Sequence, residues 1–393
     1  MNGTIYMPVG EVCSSISDTY REKKNMVTLI NTSDVLEGRV LNHERVPNSN
    51  LKGQFKKTFQ RDDILYSEIR PQNRRFAYVD FSPIDYIAST KLMVIRAKKD
   101  VVSPKYLYYF LKNSSTVAEL QLLAETRSGT FPQITFSEVA NLTIPVPSLA
   151  VQEVIVQTMQ CLEDKITCNE QINDNLEQQA QAFFQELFVD NADSEWAIGT
   201  ISDLGAVVGG STPSKAKPEY YTETGIAWIT PKDLSVNKSK FISHGENDIT
   251  ELGLKNSSAT IMPEGTVLFS SRAPIGYIAV AAGEVTTNQG FKSIVPKPEI
   301  GTAFVYYFLK HNLPIIEGMA SGSTFKEVSG STMKGVPAVI PDTDTIARFN
   351  DFCSPIFAQQ RILEEQNQSL AALRDDLLPK LMSGEIDVSA VQL

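Results

Sequence analysis

At 393 residues, 42% hydrophobic and 21% charged, the chain is long enough for two or three packed domains and has the composition of one that folds in water. A formal charge of −10 argues against a uniformly nucleic-acid-binding surface, and four scattered cysteines with three isolated histidines argue against a disulfide framework or a zinc site. No stretch approaches the ~20 apolar residues of a membrane span, and no apolar run follows a basic N-terminal segment, so a cytoplasmic protein is expected. In chain order, residues 1–142 read as a mixed block. Short β-rich runs at 26–30 and 92–95 are separated by turn clusters such as Pro47-Asn48-Ser49-Asn50, and a helical stretch opens near Pro104. Residues 143–189 change character. After Pro145 and Pro147, Ser148 can cap a helix that meets no Pro or Gly as far as Phe188, a length of roughly 60 Å at ~1.5 Å per residue.

Along that helix the apolar residues Ile155, Met159, Leu162 and Ile166, then Leu176, Ala180, Phe183 and Leu187, alternate steps of four and three, the seam of a coiled coil. Asn169 and Asn173 interrupt it, and a buried amide there weakens the contact but fixes register. Residues 190–338 form a second mixed block, with β-rich runs at 226–229 and 278–281 and a helical stretch near Thr302. Residues 339–393 are again helical. Leu363, Asn367, Leu370, Leu377 and Leu381 repeat the four-three seam, while Pro355 is expected to end or kink the helix and Pro379 stands near its close.

Divided along these lines, the charge is uneven. Residues 1–142 hold 19 Lys and Arg against 15 Asp and Glu, and residues 196–340 hold 12 against 12. The excess acid sits in residues 143–195, with 1 against 10, and in residues 341–393, with 4 against 9. Acidic helices repel phosphates, so any contact with DNA belongs to the blocks.

The chain also repeats itself once. Tyr108-Tyr109-Phe110-Leu111-Lys112 returns as Tyr306-Tyr307-Phe308-Leu309-Lys310, and each copy is followed by a Ser/Gly/Thr-Phe turn. Upstream, the stretch from Asp63 to Ser67 with Arg70-Pro71 matches Gly265 to Ser270 with Arg272-Ala273-Pro274; downstream, Ile144-Pro145 matches Ile340-Pro341. One α+β unit of block and helix has been used twice. Two helices with matching seams can pack antiparallel, separating two blocks about a pseudo-twofold axis, an arrangement suited to two half-sites about one ~34 Å turn of DNA apart.

These features together resemble the specificity subunit of type I restriction-modification systems. The likeness spans the whole chain and is most specific in Ile144-Pro145-Val146-Pro147 with Gln152 at the head of the central helix, and in the closing run from Leu377 to Ile386. The resemblance implies two target-recognition domains alternating with two conserved helical regions. It implies a subunit that chooses double-stranded DNA, with two methylation subunits docked on the helices and restriction subunits beyond them. S-adenosylmethionine, ATP and magnesium would be used by those partners and not by this chain. In keeping with that, the sequence has no G-x-x-x-x-G-K-[ST] loop and no Asn-Pro-Pro-aromatic segment, and it is read as non-catalytic. A duplicated protein scaffold and a transcription regulator stay open as alternatives.

Phosphate contacts need Lys or Arg, and base edges favour Arg, Asn and Gln. The DNA-contacting candidates are Lys52, Lys56, Lys57, Arg61, Arg70, Arg74 and Arg75 in the first block. In the second they are Lys215, Lys217, Lys232 and Arg272, with Ser321, Ser323 and Thr324, whose backbone N–H groups are suited to a phosphate. Tyr220 and Tyr221 offer rings for a base or for the core.

Overall fold

The computed structural model describes residues 4–22, 24–48, 53–127, 130–322 and 326–388. The chain divides into two compact units, one of residues 1–166 with 369–393, the other of residues 167–368. Both long helices therefore contribute to each unit.

In the first unit the opening strand Ile5–Pro8 pairs antiparallel with the closing strand Thr143–Val146, Met7 standing opposite Ile144. This pair straddles the end of the block expected at residue 142. Between its two strands lie two four-stranded sheets. One orders Cys13–Ile16, Leu92–Ala97, Ile64–Ser67 and Phe76–Tyr78; the other orders Val46–Pro47, Met26–Ile30, Tyr86–Ser89 and Phe55–Lys57. The run Leu92–Ala97 is buried on both faces except at Arg96, which fits because Arg96 grips the buried Asp63 with two hydrogen bonds of 2.7 Å. Helices Pro104–Lys112 and Ser114–Arg127 complete the block, and Tyr106, Leu107 and Tyr109 enter its core.

The second unit follows the same plan. Ala197–Thr200 pairs antiparallel with Pro337–Ile340, so a strand pair again spans the expected boundary, here at 338. Its five-stranded sheet orders Gly205–Gly209, Lys292–Pro296, Val267–Ser271, Ile275–Ala281 and Phe241–Ile242, beside a four-stranded sheet of Tyr221–Thr222, Asn247–Ile249, Ile226–Ile229 and Thr286–Thr287. The YYFLK copy lies on helix Thr302–His311. Ile64–Ser67 and Val267–Ser271, the strands that the repeat matches, are interior in their sheets.

The central helix runs Leu149–Gln185 and the C-terminal helix Thr343–Ser383. Ser148 Oγ accepts the Val151 N–H at 3.4 Å, and Asp342 Oδ1 accepts the Thr345 N–H at 2.8 Å, so each helix has an oxygen at its head. Of the two outcomes expected at Pro355, an end or a kink, the C-terminal helix does not end there. The Pro355 ring costs about 3 kcal/mol, but Phe349, Cys353 and Ile356 on the same turns are buried at roughly 1.5–3 kcal/mol for each large side chain, and packing wins.

In the second unit the helices run antiparallel. Asn169 Nδ2 donates to Asn367 Oδ1 at 2.8 Å, Gln360 Nε2 donates to the Asn173 carbonyl at 3.2 Å, and the Phe183 ring stacks at 6.0 Å on Phe349. One number rises as the other falls. Of the seam residues, Asn169, Leu187 and Leu363 are buried, and Asn173, Leu176, Phe183 and Asn367 half-buried; Leu187 has passed into the π-helical turn Glu186–Asp190. In the first unit Ile155, Met159 and Leu381 are buried in one cluster, with Leu162 and Leu377 packed against it, while Ile166 and Leu370 are half-buried.

Candidate nucleic-acid interface

The repeated YYFLK helices do not face solvent. Tyr109 and Lys112 stand three apart on one helix face, and both reach Glu163 of the central helix, the Tyr109 hydroxyl donating at 2.8 Å and the Lys112 ammonium pairing with the other oxygen. The second copy repeats the grip. Tyr307 donates to Glu177 at 2.8 Å, and Lys310 meets it at 2.6 Å. Lys240, itself buried against the Tyr306, Tyr307 and Phe357 rings, joins Glu177 at 2.5 Å. Burial by itself would push the Glu177 carboxyl up, but Lys240 and Lys310 outweigh it and hold it down at about 2. Two carboxylates of the acidic central helix are thus spent inside the chain, one clamping each block. Both lie on the central helix, so in this detail the repeat is not an exact twofold.

The basic candidates separate into those that face solvent and those that do not. Lys56, Arg61 and Arg70 are exposed, Arg70 with a left-handed backbone at φ 44°. Lys57 is not available. Its ammonium donates to the Thr90 and Leu92 carbonyls at 3.1 and 2.8 Å, and burial lowers its pKa. Arg75 is also turned inward, onto the Ser33 carbonyl at 3.0 Å, while Arg74 donates to Ser114 Oγ at 2.8 Å. Lys52, Ser323 and Thr324 lie outside the described residues. The backbone N–H of Ser321 cannot serve a phosphate as it stands, because it donates to the Glu327 carbonyl at 3.1 Å in an antiparallel bridge.

In the second block a cleft of about 720 Å³ gathers Lys215, Lys232 and Arg272 beside Tyr221 and Trp228. Lys217 lies outside its lining and sits over the Tyr220 ring at 5.3 Å; that ring is buried, which makes it core. Lys232 pairs with Glu246 at 2.6 Å, and Arg272 with Glu327 at 3.5 Å. The cleft also holds three carboxamides, Asn247, Asn288 and Gln289, which a reading by positive charge does not reach. The only signal for Asn288 and Gln289 was the turn Asn288-Gln289-Gly290, where Asn288 Oδ1 accepts the Gly290 N–H at 2.8 Å; Asn247 opens the strand Asn247–Ile249. Aromatic walls, carboxamides and cations in one open cleft are the groups that contact bases and phosphates.

No helix among the described residues is long and apolar enough to cross a membrane. The family model described as "Type I restriction modification DNA specificity domain" matches residues 6–178 and again 193–372. The chain is 30% identical to the type I restriction enzyme HindI specificity subunit of Haemophilus influenzae, over 92% of this chain and 94% of that one. It is 39% identical to the MjaIX specificity subunit of Methanocaldococcus jannaschii over 46% of this chain and 44% of the other. Among solved structures, a type I restriction-modification S subunit from M. genitalium superposes with a TM-score of 0.56 at 16% identity, covering 97% of this chain and 96% of that one, a likeness of fold. With one domain model matched twice, once over each block and its neighbouring helix, the chain belongs to the type I restriction-modification DNA specificity family, as a recognition subunit and not a catalyst.

Proposed function

We propose that each block reads one half of a split DNA sequence and that the paired helices both set the gap between the halves and carry two methylation subunits, with restriction subunits joining the same complex. On this reading S-adenosylmethionine is used by the methylation subunits, and ATP with magnesium by the restriction subunits; this chain supplies the choice of site. The observation that carries it is the repetition of one unit at the level of chemistry. Both blocks are closed by a strand pair and both are held to the central helix by a Tyr–Lys grip on a glutamate. A transcription regulator would read a split site too, but the doubled specificity-domain match disfavours it.

The test is reconstitution. Purified alone with S-adenosylmethionine, the chain should transfer no methyl group to DNA, and adding the methylation subunits should create sequence-specific methylation. Methyl transfer by the isolated chain would overturn the reading.

A further inference from the structure

Resting on that reading, the internal repeat carries the position of the second block's cleft over to a matching place in the first block. The cleft is bordered by Arg272 and Ala273, in the short connection between the antiparallel strands Val267–Ser271 and Ile275–Ala281. Its counterpart is the connection between Ile64–Ser67 and Phe76–Tyr78, with Ser67 matching Ser270 and Pro71 matching Pro274. The match holds in the hydrogen bonds. The Ile134 N–H donates to the Glu68 carbonyl at 2.9 Å, and the Val328 N–H donates to the Ser271 carbonyl, also at 2.9 Å. In each block, therefore, the connection is tied to the segment that follows the Ser/Gly/Thr-Phe turn.

The match holds too in a backbone conformation that residues other than glycine rarely adopt. Arg70 at φ 44° and Ala273 at φ 48° are both left-handed, and each stands directly before the matched proline. Closing the hairpin does not account for this, because the connections differ in length: residues 67–75 lie between the paired Tyr66 and Phe76, and only residues 272–274 between the paired Ser271 and Ile275. Backbone strain of this kind persists where the surroundings over-determine it, and it gathers at binding sites. What differs between the copies is the side chains they present. Two readers of different half-sites need that combination, one backbone frame with unlike contacts.

In the first block the longer connection forms the 3₁₀ turn Pro71–Asn73, and its backbone is fastened. Pro71 is buried, the Gln72 N–H donates to the buried Gln121 at 3.2 Å, the Asn73 N–H donates to the Arg70 carbonyl at 2.8 Å, and the Arg74 carbonyl accepts the Glu37 N–H at 2.9 Å. The side chains of Arg70, Gln72 and Asn73 are exposed, with no hydrogen-bond or ionic partner among the described residues. A fixed turn holding two such carboxamides and a cation is pre-organised for base edges, to which each carboxamide can both donate and accept.

We propose that this turn is the base-contacting element of the first block and that Gln72 and Asn73 are specificity-determining residues for its half-site, with Arg70 the cation beside them.

The experiment uses the chain reconstituted with its methylation subunits, sequencing the sites it methylates and measuring binding to duplexes with each base varied. Exchanging the first block identifies the half-site that block reads. Gln72→Ala with Asn73→Ala should lower discrimination at one or two adjacent positions of that half-site by about tenfold to a hundredfold, a range set by what one good base contact is worth, and leave the second half-site unchanged. Arg70→Gly keeps the left-handed backbone, because glycine adopts it freely, and should weaken DNA binding about tenfold. Should the alanine variant fail to fold, the isosteric Gln72→Glu and Asn73→Asp decide, and they should change the preference at the same positions. An unaltered first half-site in variants whose circular dichroism and melting match wild type would overturn the proposal. So would loss of assembly with the methylation subunits while the half-site is retained, which would make the turn a protein contact. Failure here is separable from failure of the two-reader function. If exchanging a whole block still moves one half-site while the turn variants move nothing, only the assignment of this turn is wrong.

Discussion

Replacing Glu177 with Gln should unfasten the second block from the central helix, and the cost can be worked from the site. The carboxylate meets Lys240 at 2.5 Å, Lys310 at 2.6 Å and the Tyr307 hydroxyl at 2.8 Å, and these partners hold it down at about 2 against the ordinary glutamate value of about 4.3. A depression of about two pH units corresponds to roughly 3 kcal/mol of stability at neutral pH, and stripping the counter-charge from a buried lysine costs a similar ~3–5 kcal/mol. For a unit of about 200 residues at ~2–4 °C per kcal/mol, the melting temperature should fall by about 6–12 °C. The sign of the pH dependence follows from the depression. The contribution is complete above the unfolded value and is lost as pH falls from about 5 towards 2, so the gap between wild type and Glu177→Gln should close on acidification. Both tryptophans, Trp196 and Trp228, lie within residues 167–368, so intrinsic fluorescence during melting reports on this unit. A variant melting within ~2 °C of wild type at pH 7, or a difference unchanged at pH 3.5, would refute the clamp.

Other outcomes follow from individual residues. Lys57→Ala should destabilise the first unit by about 1–2 kcal/mol in denaturant melts, since it removes the ammonium that donates to two carbonyls, whereas exposed Lys56→Ala should stay within ~0.5 kcal/mol and lower the salt dependence of DNA binding. In the seam, a double-mutant cycle on Asn169 and Asn367 with Leu should give a coupling of about 0.5–3 kcal/mol; additivity would mean the amide pair is not fixing register. One heptad added to each long helix, near Asn173 and Asn367, preserves the phase of the seam to within ~20° and adds roughly 10 Å, so the gap in the methylated sequence should grow by about three base pairs; an active variant with an unchanged gap would show that the helices do not set it.

The repeat and the long helices were legible in the sequence because both are local signals: a verbatim five-residue copy, and a seam of steps of four and three that survives over many turns. The grip on Glu163 and Glu177 was half legible, since a Tyr and a Lys three apart, copied in both blocks, already ask for a shared acceptor; its identity needed the fold. The basic candidates were less legible because a lysine's role depends on what distant strands bring to it. Lys56 and Lys57 are neighbours in sequence, yet the pleat sends one to solvent and the other onto the Thr90 and Leu92 carbonyls. That the helix runs on through Pro355 was not legible for a related reason. Local propensity counts the lost hydrogen bond but not the packed face of Phe349, Cys353 and Ile356 that carries the helix through. Asn288 and Gln289 carry no charge to draw notice in the sequence, and only the fold gathers them into one cleft with Lys215, Lys232 and Arg272.

The claim that two independent readers share one chain is tested most directly by exchanging a block. The exchange should run through residue 147, so that both strands of the pair Ile5–Pro8 and Thr143–Val146 travel together. Sequencing the sites methylated by the reconstituted chimera, with the first block taken from a relative of different specificity, should show one half of the recognised sequence replaced and the other half and the gap retained. A folded, active chimera in which both halves change, or neither does, would contradict the account.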